Sequence, residues 1–230
     1  LPPYEPRQVL DPSDPVTIGA MVGPEAFTEV RYLAHAKQMQ ALELIPKIAQ
    51  EFKDQFGRDS GGLIKTYKTE DAETIVIAMG SVLGTIKDTV DDLRAQGVKV
   101  GVLGITSYRP FPISAIRDAT AKATRIVVIE KCFAVGIGGI VSRDVRSAVR
   151  NRPQPVLTVV AGLGGRAITK ASVSKLLQDA IADKLELLTF LDLDWAVVNR
   201  VLDREKQQRR SGPVAEGVLR DMGSTASRAA

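Results

Sequence analysis

The sequence of 230 residues contains a single cysteine, Cys132, and a single histidine, His35. A lone cysteine cannot close an internal disulfide, and one Cys with one His offers no zinc-type ligand spacing. No close group of acids is spaced for calcium. Long apolar runs are missing too. Stretches such as Ile75-Val76-Ile77-Ala78-Met79 stop far short of the roughly 20 residues that cross a bilayer, so no membrane span is expected. No apolar or Arg-rich leader opens the chain, which makes a reducing, cytoplasmic setting the expectation. The first residue is Leu1 rather than Met, and the chain reads as a piece of a longer polypeptide.

What is present is ordinary for a globular protein: 44% hydrophobic and 25% charged residues. The net charge is +4, but residues 200–230 hold seven Lys/Arg against four Asp/Glu, so three of those charges belong to the tail. Acids are interleaved there and aromatic platforms are absent, so a nucleic acid is not an expected partner.

Prolines crowd residues 1–24 and bias this opening toward an extended strap lying across another surface. From Glu25 to about Phe56, apolar residues recur at three- and four-residue steps through Pro46, predicting one kinked helix or two. Leu63 to Tyr67 alternates as an edge strand would. Beyond it, strands are expected at Thr74–Met79, Val98–Ile105, Arg125–Glu130 and Pro155–Ala161. The helices between and after them are placed at Val82–Gln96, with Ser81 as cap, at Ala115–Lys122, capped by Ser114, and in a run opened by Gly136, Gly138 and Gly139. A last core helix, capped by Thr169, reaches about Ala182. Strands alternating with helices specify parallel pairing with right-handed crossovers. The fold class is therefore α/β: an open, mostly parallel sheet over 63–182, covered by helices on both faces. Residues 1–62 form the strap and helical segment, and 183–230 a basic helical tail with a mobile end.

Chemistry is sparse. Gly162-Leu163-Gly164-Gly165-Arg166-Ala167 fits the G-x-G-x-x-A form of a dinucleotide fingerprint, yet no strand is expected after the following helix and no acid stands where a ribose would need one. A tight turn with close backbone packing is the plainer reading. The loop at Gly80-Ser81 precedes a helix, where free amides could hold an anion, but it lacks a Walker lysine. Ser81, His35 and Cys132 fall in unrelated segments, so a hydrolytic triad or thiol pair is not expected. Glu130-Lys131 closes a strand at the end where open sheets bind ligands; a strand-end salt bridge or an interface contact is the plainer role.

Several segments together resemble a known family. Ala72-Glu73-Thr74-Ile75-Val76-Ile77-Ala78-Met79-Gly80-Ser81, then Gly97-Val98-Lys99-Val100 with Arg109-Pro110-Phe111-Pro112, then Val127-Val128-Ile129-Glu130 leading to Gly136-Ile137-Gly138-Gly139, are similar to the C-terminal domain of transketolase-like thiamine enzymes. Leu10-Asp11-Pro12, Pro15-Val16-Thr17, Pro24-Glu25, Arg31-Tyr32 and Ala161-Gly162-Leu163-Gly164-Gly165-Arg166 resemble, more narrowly, the alpha chain of the pyruvate:ferredoxin oxidoreductase family of 2-oxoacid oxidoreductases. The likeness covers about residues 1–182; the tail departs from it.

The resemblance implies a missing N-terminal thiamine-binding domain. It also implies an enzyme carrying thiamine diphosphate, magnesium and [4Fe-4S] clusters in other chains or domains, with none bound by this segment. That enzyme would convert a 2-oxoacid such as pyruvate to an acyl-CoA from coenzyme A, passing electrons to ferredoxin. An arylglyoxylate substrate with NAD as acceptor through an FAD subunit is a second reading, and a freestanding ligand-binding or regulatory module a third. An autonomous transketolase-type transferase is a fourth. Beta-, gamma- and delta-type subunits would be the partners, in a dimer of heteromers. No catalytic, cofactor-binding or metal-binding residue is implied here; Arg109, Glu130 and Arg166, on loops at strand ends, are the expected interface positions.

Overall fold

A computed structural model describes residues 3–6, 9–17, 19–207 and 214–223. The periodic segment after the strap forms a single helix, α1 (Phe27–Phe56), which continues through Pro46 and ends at Gly57, where φ is 65° and the amide returns to the Lys53 carbonyl. None of its residues is buried. Most described strap residues are exposed as well, Tyr4, Leu10 and Met21 among them.

The β-branched runs build a six-stranded sheet. In chain order the elements are β1 (Ile64–Tyr67), β2 (Thr74–Ala78), α2 (Val82–Ala95), β3 (Val100–Ile105), α3 (Ile113–Ala119) and β4 (Arg125–Glu130). A small hairpin of β5 (Phe133–Ala134) and β6 (Gly138–Gly139) follows. The chain then forms α4 (Val141–Ala148), β7 (Val156–Val160), α5 (Lys170–Ile181), β8 (Leu188–Phe190), α6 (Trp195–Gln207) and α7 (Val214–Asp221). The order across the main sheet is β1-β3-β2-β4-β7-β8. Edge strand β1 runs antiparallel to β3, and the other pairings are parallel.

Alternate side chains of each strand feed opposite faces, as the pleat requires. Val76, Val102, Val127 and Val159 join Val90 and Leu93 of α2 and Leu177 of α5 in one core. Ile75, Ile77, Leu103 and Val128 join Ile116 of α3 and Val145 of α4 in the other. The sheet is thus covered on both faces. Among the described residues, no helix is long and apolar enough to cross a membrane.

Three sequence expectations need correction. Residues 188–190, read as helix, pair with β7 as a sixth strand, because Leu188-Thr189-Phe190 meets an open edge that propensity alone does not reveal. The glycines at 136–139 form the β5–β6 hairpin, and α4 starts only at Val141. Ser81 and Ser114 do not cap through their side chains: Ser81 precedes α2 without such a bond, and Ser114 lies inside α3 after Pro112. Thr169 does cap α5, its Oγ1 accepting from the Ser172 amide at 3.0 Å. The expected mobile end, residues 224–230, lies outside the described residues.

Candidate functional site: the crevice at the sheet's switch point

The chain passes from β2 outward to β3, then returns across β2 to β4 and continues through β7 to β8. Where an open α/β sheet reverses its direction of travel, the loops part and leave a crevice at the carboxyl ends of the two strands concerned. Here that point lies between β2 and β4. A cavity of about 620 Å³ occupies it, lined by Met79–Val82 and Thr85, by Ile129–Cys132 and Val141, and by Ala161, Gly162, Gly165, Arg166 and Ile168.

Glu130 ends β4 and is only 6% exposed. Its Oε2 accepts from the amides of Ile140 and Val141 at 2.8 Å each, and its Oε1 from that of Ser142 at 2.9 Å. These are first-turn amides of α4, which have no partner within the helix. A buried carboxylate is costly unless it is matched, and here amides and helix dipole match it. Its hydrogen-bond partners are therefore backbone amides, in place of the expected strand-end salt bridge. Nearby, Arg146 donates to the Val156 carbonyl at 2.8 Å and Thr158 Oγ1 at 2.7 Å. Burial pulls the pKa of this guanidinium down, and the charge of Glu130 opposes that.

Arg166 sits at the cavity rim, exposed, with Nη1 donating to the Asp192 carbonyl. Lys131 and Cys132 line the same cavity and are exposed. Arg109 lies apart. It stacks on Tyr108, 4.1 Å from guanidinium carbon to ring centroid, and donates to Asp144 Oδ2 at 2.7 Å. Tyr108 donates to the same oxygen at 3.0 Å, and its phenol is pushed up by burial and then by Asp144. Asp144 in turn raises the Arg109 guanidinium. Of the three positions singled out in the sequence, the fold joins Glu130 and Arg166 at one cavity and leaves Arg109 elsewhere.

In the glycine-rich loop after β7, Gly162 packs closely, a Cβ built there lying 3.2 Å from Ile168 Cδ1, but the two glycines after it are not shaped by crowding. Gly164 and Gly165 have φ of 62° and 84°, and a Cβ built on either meets nothing within 4 Å. They are glycines because the backbone is left-handed there, which other L-residues rarely adopt. The absence of a following strand no longer argues against a dinucleotide site, since β8 follows. The placement of α5 does: it begins at Lys170, behind the Thr169 cap, so these glycines do not open it as a fingerprint requires. Among the described residues, no group of three or more His, Cys, Asp or Glu is placed to hold a metal ion.

Sequence reasoning missed the amides of residues 140–142 as the partners of Glu130. The available signal was a carboxylate ending a buried strand, followed closely by a glycine cluster.

Residues 72–173 match the family model for the pyruvate:ferredoxin oxidoreductase core domain II. The pyruvate synthase subunit PorA of Methanosarcina barkeri is 42% identical over 182 residues, 78% of this chain and 45% of that protein. The ketoisovalerate oxidoreductase subunit VorA of Pyrococcus horikoshii is 34% identical over 78% of this chain and 46% of its own length. The chain therefore spans slightly less than half of these relatives. Among solved structures, a 2-oxoglutarate:ferredoxin oxidoreductase from Magnetococcus marinus aligns with a TM-score of 0.43 at 20% identity, covering 57% of this chain and 21% of that one; the assignment rests on the sequence matches. A domain-level match inside an ordered likeness to PorA and VorA across more than three quarters of the sequence places this chain in the pyruvate:ferredoxin oxidoreductase family.

Proposed function

We propose that this chain is part of the alpha subunit of a thiamine diphosphate- and iron–sulfur-dependent 2-oxoacid oxidoreductase, and that it serves as a structural, interface-forming portion. The reaction is oxidative decarboxylation of a 2-oxoacid such as pyruvate to an acyl-CoA, with electrons leaving to ferredoxin. The observation that carries the reading is the 42% identity to a pyruvate synthase subunit over 78% of the chain.

The residues of this chain fit the assignment of cofactor chemistry to other chains. A [4Fe-4S] cluster takes about four thiolates, whereas the sequence has Cys132 alone. Among the described residues, no group of three or more His, Cys, Asp or Glu is gathered as an all-protein metal site. No step of the reaction is therefore assigned to a side chain here. Surfaces for partner subunits are available: Arg109 and Arg166 keep exposed guanidinium groups, and Phe27, Val30 and Leu33 of α1 are uncovered.

The test is purification of the chain at native mass from its source, followed by assay. The expected result is a larger complex that reduces ferredoxin or a viologen dye only with both a 2-oxoacid and coenzyme A. Turnover by the 230-residue chain alone, or a complex indifferent to 2-oxoacids, would overturn the proposal.

A further inference from the structure

The switch-point cavity is open to solvent and is not used by a scaffolding role. Its charges are uneven. Among the described residues, Glu130 is the one acid lining it, and that carboxylate is turned into α4, where three amides and a helix dipole compensate it. Lys131 and Arg166 remain as cationic groups on the wall. Lys131 is exposed and has no hydrogen bond or ion pair with a described residue. Arg166 spends one guanidinium nitrogen on the Asp192 carbonyl, which fixes the head without neutralising it. The floor adds Ser81 and Val82, which open α2, a helix of 14 residues whose first amides and positive dipole end add to the same sign.

The loops that form the wall are costly ones. Gly80, Gly162, Gly164 and Gly165 all hold positive φ, between 62° and 77° for the first three and 84° for the last. Each glycine loses more freedom on ordering than any other residue, so this backbone path is maintained against entropy. Gly80 and Gly165 both line the cavity, and a Cβ built on either would meet nothing within 4 Å. A volume of about 620 Å³ falls in the range of small-molecule sites.

We propose that this cavity binds a small phosphate-bearing molecule, with Lys131 and Arg166 as its cationic contacts and the backbone at Ser81 and Val82 as hydrogen-bond donors. A phosphate group presents several acceptor oxygens, which suits two side-chain cations and the first amides of a helix lining one cavity.

Cys132 supplies the test, since it lies on the same wall, is exposed, and is the only cysteine of the sequence. The rate of its alkylation by iodoacetamide is followed by peptide mass spectrometry in the protein as isolated, with whatever chains accompany it. Inorganic pyrophosphate is the probe, and sodium chloride at matched ionic strength the control. Saturable slowing of Cys132 labelling by pyrophosphate, with little change in chloride, is the expected result. Lys131→Met and Arg166→Leu should each raise the half-protecting concentration about tenfold or more. Equal slowing by chloride, or no protection at 10 mM (roughly the weakest affinity worth calling a site), overturns the proposal. So does undiminished protection in both variants, each first shown to keep the wild-type thermal midpoint.

Discussion

Gly139 lacks the one atom that would collide with Glu130: a Cβ built there lies 2.0 Å from Oε1 and 2.6 Å from Ser142 Oγ. The carboxylate reaches the start of α4 only because that space is vacant. Gly139→Ala should therefore expel it and cost about 1–3 kcal/mol as an overpacked site. Glu130→Gln keeps the shape but offers one acceptor oxygen where two are used, turning an NH₂ toward an amide donor. A loss of about 1.5–3 kcal/mol is expected, the worth of a charge-assisted hydrogen bond. Because both changes break one contact, their double mutant should cost clearly less than the sum in urea unfolding. Full additivity would mean that the two residues do not act together. Glu130 stood out in the sequence as a charge at the productive end of a strand, but its partners did not. They lie ten to twelve residues ahead, and only the turn through the β5–β6 hairpin brings their amides to it.

At the scale of elements, β1 and α2 are tied by one carboxylate. Asp91 accepts from the Tyr67 hydroxyl at 2.9 Å and pairs with Lys68 at 2.5 Å. The Lys68 bond, and next the Tyr67 bond, hold its carboxyl below the ordinary 3.8. A group depressed in the folded state contributes stability above its unfolded pKa and loses it as pH falls through the folded value. Asp91→Asn should accordingly lower stability at neutral pH and flatten the decline below about pH 4. A variant whose acid limb stays as steep as the wild type would contradict this. The α5 cap is a simpler case: Thr169→Ala removes the acceptor for the Ser172 amide and should cost about 1 kcal/mol by thermal or urea melting. Thr169 was legible as a cap because its side chain and its target are three residues apart. β8 was not legible, since a three-residue strand is made by the edge of β7 that it meets.

For the whole molecule, the contrast is between a sealed sheet and an uncovered arm. Val30 and Leu33 of α1 are 44% and 61% exposed, so Val30→Asp with Leu33→Asp should change the chain's own stability by less than about 0.5 kcal/mol each. If α1 seats partner chains, as proposed, the same pair should shift the complex to lower native mass with an unchanged melting profile. An unchanged mass would remove α1 from the interface. What the sequence determined by itself was the alternation of strands and helices, the two-faced burial of the strands and the poverty of catalytic groups. These follow from local periodicity and composition, which act over a few residues. What the tertiary structure decided was the strand order and the crevice it opens between β2 and β4, the burial of Glu130 against α4, and the gathering of Lys131 and Arg166 at one cavity. Those depend on contacts between segments tens of residues apart, and the free energy that selects them is shared across the packed layers rather than held by any one stretch of chain.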